Sequence, residues 1–315
     1  MDTEGQSHAV GVRESVRTGI SSSGDDGPRI TVVFAGALGD TVLLRPLMDR
    51  LRSLYPACHI TLVTTNSIGQ LFASLGWADA AADINMHDHH RWFGADHADA
   101  SVPWARCDWL ISGVSNGHDC WAMAAQRHTT AGRISYFDPR PEGGTSDHIV
   151  LQWFRQLDVA VGFNPVEPVP GSRSKWKPVG STVLIHPGSG GQAKCWPLDN
   201  FKRLARGLIA KNLHPRFILG PVECERMTTT AISELRQEFD TIKTYDLPHL
   251  VEELSSALVF CGNDSGVAHL AAALGVPTLA IFICSNPKWW RPIGPMVRRL
   301  VRPQVLAQAA AVMMH

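Results

Sequence analysis

Three times in this 315-residue chain a short apolar run passes straight into a glycine-bearing loop and then into a stretch with helical spacing. Ile30 to Phe34 leads into Gly36-Ala37-Leu38-Gly39-Asp40, Thr182 to Ile185 into His186 through Pro197, and Leu258 to Cys261 into Asn263 through His269. After the first loop, Val42, Leu43, Leu47, Leu51 and Leu54 are spaced for one apolar helix face, Pro56 stops the helix, and His59 to Val63 reads as the next strand. Strand, helix and strand in that order form a β-α-β unit, which requires a parallel sheet. Ligands of such sheets bind at the carboxyl ends of the strands, where the glycine-bearing loops lie.

The pattern occurs in two blocks, and the length suits two domains of roughly 150 residues each. Residues 1–28 are rich in Ser, Gly and Asp and read as a flexible tail. Residues 29–165 form a first Rossmann-like α/β domain, with a later strand at Asp108 to Ser112 and a closing helix at His148 to Leu157. Residues 166–180 carry Pro168, Pro170 and Pro178 and read as a linker. A second Rossmann-like domain spans 181–295: helix Leu198 to Ala210, strand Arg216 to Leu219, helix Met227 to Phe239, helix Val267 to Leu274 and strand Thr278 to Phe282. Residues 296–315 end in an Ala-rich helix, Gln304 to Met314. The fold class is therefore α/β, two doubly wound domains facing a cleft.

Composition narrows the function classes. Hydrophobic residues are 44% and charged residues 18%, enough apolar material for a packed core. Lys plus Arg and Asp plus Glu both number 29, which argues against a nucleic-acid partner. The seven cysteines show no C-x-x-C pair, so a disulfide framework or structural zinc is not expected, and a reducing cytoplasmic setting fits. No run of 18 apolar residues suggests a membrane span, and Glu4 and Glu14 stand where a signal peptide needs an apolar stretch. Ten tryptophans against three tyrosines suggest aromatic surface for a partner, sugar or membrane, with Trp92, Trp104, Trp109 and Trp121 as the places to look. His87-Asp88-His89-His90 with His97 resembles a metal cluster, but adjacent ligands on a polar segment rarely converge on one ion, and no metal site is expected. Ser112-Gly113-Val114-Ser115 lacks the spacing of a nucleophile elbow.

The loops supply the candidate chemistry. Gly36 and Gly39 allow close backbone approach to a ligand, and Asp40 is either a helix cap or a working carboxylate. The second loop offers Ser189, backbone N–H groups and the compact charge of Lys194, a set suited to phosphate oxygens. In the third, Asp264 can cap the following helix, whose free N–H groups at Ser265 and Gly266 favour an anion, while His269 either meets a ligand or packs as a buried histidine. Glu223, in the loop Gly220 to Arg226, either accepts from ribose hydroxyls or answers the helix dipole.

In this order the loops resemble glycosyltransferase family 9, the lipopolysaccharide heptosyltransferase family. Gly36 to Asp40, Leu43-Leu44-Arg45-Pro46 and Leu51 through Ile60 match its N-terminal motifs. His186 to Pro197 match H-P-G-S-x-x-x-x-K-x-W-P, and Asp264 to Pro277 match D-S-G-x-x-H-x-A-x-A-L-G-x-P. The resemblance implies a GT-B fold and inverting transfer of a sugar, heptose from ADP-heptose in the best-known case, to a hydroxyl of a saccharide, lipid-linked or protein acceptor. It makes Asp40 the general base. It assigns Gly39, Ser189, Lys194, Asp264, Ser265, Gly266 and His269 to the donor and its diphosphate, and Glu223 to the nucleoside. No cofactor or metal is implied beyond the nucleotide-sugar co-substrate, and a lipid-linked acceptor implies peripheral contact with the inner face of the cytoplasmic membrane. A sugar-nucleotide epimerase of the same architecture and a non-catalytic nucleotide-sugar-binding protein are the alternatives. Residues 85–145 carry no motif of the family.

Overall fold

The computed structural model describes residues 27–94, 101–159 and 176–301. All of the expected tail but residues 27 and 28, most of the expected linker, the terminal helix Gln304 to Met314 and His97 lie outside them.

The first domain runs β1 (Arg29–Val33), α1 (Leu38–Val42), α2 (Arg45–Leu54), β2 (His59–Thr64), α3 (Asn66–Ser74), β3 (Ala80–Asp83), β4 (Trp109–Ser112), α4 (Cys120–His128), β5 (Arg133–Tyr136) and α5 (Ile149–Gln156). Its five strands are ordered β3-β2-β1-β4-β5, all parallel. The second domain runs β6 (Thr182–His186), α6 (Leu198–Ile209), β7 (His214–Leu219), α7 (Pro221–Arg226), α8 (Thr229–Glu238), β8 (Asp240–Lys243), α9 (Leu247–Ser256), β9 (Val259–Asn263), α10 (Gly266–Leu274), β10 (Thr278–Phe282), α11 (Pro287–Trp290) and β11 (Val297–Val301). Its six parallel strands are ordered β11-β10-β9-β6-β7-β8, and β11 carries the sheet through Val301. Each sheet reverses direction once, between β1 and β4 and between β6 and β9. A crevice opens at such a switch point, at the carboxyl ends of the strands.

One helix expected as continuous is divided, and another begins two residues later than expected. The apolar stretch from Val42 to Leu54 breaks at Leu43-Leu44 and restarts with Pro46 in the first turn of α2, where its missing N–H costs nothing. Leu54 is consequently exposed while Leu47 and Leu51 are buried. The stretch from Met227 to Phe239 begins only at Thr229, because the Thr228 hydroxyl caps Ala231 N–H. Residues 221–226 form a separate helix instead of a loop.

The tryptophans belong to the interior. Trp92 and Trp109 are 0% exposed, Trp121 1% and Trp104 6%, so these four indoles are not a surface for a membrane or sugar. Trp92, Trp104 and Trp121 pack around His89 beneath β4 and α4. Trp121 Nε1 can only donate, and it does so to His89 Nε2 at 2.8 Å. His89 must therefore carry its proton on Nδ1, which donates to Ile84 O at 3.0 Å. Burial holds this imidazole below its ordinary pKa. The histidine expected to be a metal-cluster decoy is a satisfied core residue. Among the described residues no helix is long and apolar enough to cross a membrane.

The two domains pack directly on one another. One apolar core cluster includes β1, α2 and α5 residues of the first domain and α9 and α10 residues of the second. Polar ties reinforce it: Trp289 Nε1 donates to Thr145 O at 2.8 Å, and the Arg45 guanidinium donates to Ala273 O. His148, 3% exposed, joins the domains at the start of α5. Its Nδ1 accepts from Val150 N–H, so Nε2 carries the proton and donates to Arg291 O at 2.8 Å.

Burial lowers the His148 pKa to about 4. The folded value lies below the unfolded one of about 6.5, so its stabilising contribution is complete above that pH and is lost as pH falls toward about 4. The loss should reach about 3 kcal/mol by the linkage relation. In His148→Asn, which retains a capping oxygen, urea unfolding across this range should show a distinctly shallower decline, and identical pH slopes would refute the assignment.

Candidate active site

The loops carrying the sequence candidates sit at the two switch points. β6 and β9 are neighbours, with His186 opposite Gly262, so the loop after β6 and the loop after β9 leave the sheet side by side. Asn263 ties them together. Its Oδ1 accepts from Trp196 N–H at 2.9 Å, and its Nδ2 donates to Pro187 O at 2.7 Å. Ser189 Oγ donates to Asp264 O at 2.7 Å, and Ser265 Oγ lies 3.5 Å from His186 Nδ1. These are buried polar groups, and their mutual pairing is what allows two loops to lie against each other away from water.

Asp264 occupies the centre. It was expected to cap α10, but the cap is Ser265, whose hydroxyl accepts from Ala268 N–H. This frees the Asp264 carboxylate to face the loop after β6. Lys194 Nζ lies 3.2 Å from Oδ2, Ser285 Oγ donates to the same oxygen at 2.6 Å, and His269 Nε2 lies 3.7 Å from Oδ1. Burial works against the charge, but the His269 and Ser285 contacts and the Lys194 charge outweigh it and hold the carboxyl below its ordinary pKa. The Lys194 side chain remains 42% exposed, with its charge open to the cleft as well as to Asp264. His269 is buried, and its Nδ1 has no hydrogen-bond partner among the described residues.

The first domain approaches this cluster through α1. A Cβ on Gly39 would stand 3.2 Å from both Gly266 Cα and His269 Cδ2, and a Cβ on Gly266 would stand 3.0 Å from Gly39 N. The starts of α1 and α10 therefore come close backbone to backbone, and a side chain at either glycine would be tight enough to push its neighbour aside by a few tenths of an ångström. Asp40 lies on α1, one residue beyond the contact. Burial raises its pKa, and His269 and Lys194 of the other domain lower it in part. The carboxylate thus feels charges that the sequence places far away.

Glu223 is placed differently from a residue waiting at a surface. It is 6% exposed, accepts from Gly220 N–H at 2.8 Å and has Oε2 3.4 Å from His186 Nε2. Its carboxylate packs against Gly188, where a Cβ would fall 1.7 Å from Oε1. Burial opposes its charge, but His186 and the Gly220 N–H prevail and hold its pKa below the ordinary value. One turn on, Arg226 Nη1 donates to Ser189 O and Nη2 to Gly190 O, both at 3.0 Å. Arg226, Asn263 and Ser285 were missed in the sequence. Pro221 followed by an acidic residue at the third helical position was the available sign that 221–226 is a helix with Glu223 and Arg226 on one face. Ser112 and Ser115 serve the loop after β4: Ser112 Oγ accepts from Val114 N–H and Ser115 Oγ donates to Asp119 at 2.7 Å.

Comparison with known proteins agrees with this layout. Residues 167–310 match the family model of glycosyltransferase family 9 (heptosyltransferase). A stretch of 116 residues is 28% identical to lipopolysaccharide heptosyltransferase 3 of Escherichia coli, covering 35% of this chain and 33% of that one. The matched stretch spans about a third of the length of the curated relatives. The fold is that of a glycosyl transferase family 9 structure from Veillonella parvula, at a TM-score of 0.65 and 18% identity, covering 88% of this chain and 86% of that one. It is also similar to E. coli heptosyltransferase WaaC with ADP, at 0.62 and 16% over 91% and 98% of the two chains, and to E. coli ADP-heptose heptosyltransferase II, at 0.65 and 16% over the same shares.

Asn263→Ala leaves Trp196 N–H and Pro187 O without their buried partner. It should lower the unfolding free energy by about 2–3 kcal/mol in urea titration. A change within experimental error would remove Asn263 as the tie between the loops.

Proposed function

We propose that the chain, whose residues 167–310 match the family model of glycosyltransferase family 9, is an inverting glycosyltransferase moving a sugar from a nucleotide-sugar to an acceptor hydroxyl. The observation that carries the reading is the meeting of Asp40, from one domain, with the Lys194, Asp264 and His269 cluster of the other. A base and an anion cradle on opposite walls of one crevice are what a displacement at a sugar carbon requires. Asp40 takes the proton of the acceptor hydroxyl as its oxygen attacks the anomeric carbon. The carbon–oxygen bond to the diphosphate breaks on the opposite side, and the electron pair leaves with the diphosphate. Attack from that face inverts the stereochemistry.

The growing negative charge on the leaving group meets Lys194 and the N–H groups at Ser265 and Gly266, which open α10, while the Ser189 hydroxyl, committed to Asp264 O, holds the loop that carries Lys194. These positive groups are fixed before reaction, so the chemistry proposed here calls for no metal ion. Gly39 lets α1 lie against the start of α10, and His269 offers its unpartnered Nδ1. Glu223 serves the nucleoside end through the loop it supports at Gly188. The ADP held by the WaaC structure supports an ADP-type donor, with heptose as the sugar. The acceptor hydroxyl belongs to a saccharide, lipid-linked or protein acceptor, and the enzyme works in the cytoplasm or at the inner membrane face.

Asp40→Asn should reduce transfer from ADP-heptose at least about a hundredfold, while calorimetry shows ADP affinity nearly unchanged. Full activity in that variant would remove Asp40 as base. Activity should fall as pH drops through the Asp40 pKa, which burial sets above the ordinary carboxylate value. Because Lys194 lowers that pKa, Lys194→Ala should move the acid limb of the rate profile to higher pH and weaken ADP binding. An unmoved limb with unchanged ADP affinity would sink the placement of Lys194. Transfer should also persist in a chelator.

A further inference from the structure

The overall charge balance of zero conceals a division between the domains. Residues 27–159 contain ten arginines, no lysine and thirteen acidic residues, whereas residues 176–301 contain fourteen Lys plus Arg and ten acidic residues. The domain holding the anion cradle is positive and the domain facing it is negative. Most arginines of the first domain are also committed elsewhere. Arg29 pairs with Asp108 at 3.3 Å, Arg52 with Asp79 at 3.1 Å, and Arg133 lies 4.0 Å over the Trp109 ring, all at the amino ends of the strands. Arg45 pairs with Asp49 at 3.7 Å, and Arg155 with Asp147 at 2.6 Å.

The carboxyl ends of the strands, which share their edge with Asp40, carry different chemistry. β2 opens onto Thr65, Asn66 and Ser67, β3 is followed by Asn85, and β4 by Ser115 and Asn116. Asn66, Ser67, Asn85 and Asn116 are exposed. The charged side chains on this edge are mainly acidic or paired: Asp83 accepts from Asn85 N–H, and Arg140, after β5, pairs with Asp138 at 3.2 Å. Among the described residues, His118 beside Asn116 and His90 after β3 are also exposed on this edge, and Arg91 is half-buried there.

We propose that the acceptor is a neutral saccharide rather than a phosphorylated or carboxylated one, an inference that rests on the transferase reading above. Amides and hydroxyls donate and accept at once, as sugar hydroxyls do, and they pair with them without desolvating a charge. An anionic acceptor would instead approach a domain whose overall charge is negative, and like charges suppress the wrong partner. The positive wall opposite is reserved for the diphosphate. The two substrates are thereby sorted by charge onto the two domains.

The test uses the full chain with ADP-heptose as donor and measures ADP release with two matched acceptor series. One series is neutral alkyl hexosides and oligosaccharides, the other the same compounds bearing a phosphate or a uronate. Neutral acceptors should accelerate ADP release at least about tenfold more than their anionic counterparts. Added salt should improve the anionic series and leave the neutral one unchanged, because screening weakens only the repulsion. Asn116→Lys should narrow the preference with ADP-induced thermal stabilisation intact. Preference for the anionic series, equal response to both, or response to neither while ADP still stabilises the protein would each overturn the proposal. Absence of stabilisation by ADP would mean that the donor reading itself had failed, and the acceptor assignment with it.

Discussion

The site depends on two glycines that touch. Gly39 lies in the first turn of the first domain's α1 and Gly266 opens the second domain's α10, and a Cβ on either would crowd the other. Their contact brings Asp40 within reach of the electrostatic influence of His269 and Lys194. Without it Asp40 and the Lys194, Asp264 and His269 cluster would belong to separate surfaces, and burial would not raise the Asp40 pKa as it does. The apolar core shared by α2, α5, α9 and α10, with the Trp289 and His148 hydrogen bonds, holds the domains at that distance.

Behind the contact lies a second constraint, the cost of burying polar loops. Asn263, Ser189, Ser265 and Glu223 are each less than a tenth exposed, and each pairs with backbone or side chain of a neighbouring loop. The loop after β6 is thereby gripped on two sides, by Asn263 from β9 and by Glu223 and Arg226 from α7. Held in this way, the loop keeps Lys194 positioned against Asp264 while leaving it partly exposed. Preorganised charge of this kind is more effective than charge that must rearrange during reaction.

The elements legible in the sequence share a physical property. Every interior strand of both sheets, β1, β2, β4, β6, β7, β9 and β10, was found, and all four edge strands were missed. Interior strands are covered on both faces and read as unbroken apolar runs. β3 (AAAD), β5 (RISY), β8 (DTIK) and β11 (VRRLV) have one open edge, mix polar with apolar residues and leave no such run. The helix boundaries have a similar cause: apolar spacing ran past the break before Pro46 and into the cap at Thr228, and periodicity alone does not register a cap. The tryptophans erred in the opposite direction. Their number suggested a surface, yet an indole whose N–H finds His89 is as much a core residue as a phenylalanine.

The sequence by itself determined the parallel α/β class, the two blocks and the chemical inventory of the three loops. Each of these is written in consecutive residues: an apolar run, a glycine turn, a helix start. It also held the charge division between the blocks, since composition needs no coordinates. Only the tertiary structure decided which loops meet. The adjacency of β6 and β9, the passing of the cap from Asp264 to Ser265 and the burial of Glu223 against Gly188 all follow from strand order and close packing. Local patterns specify what a segment can form. The partner of a buried carboxylate is set by which distant backbone comes near enough to displace its water.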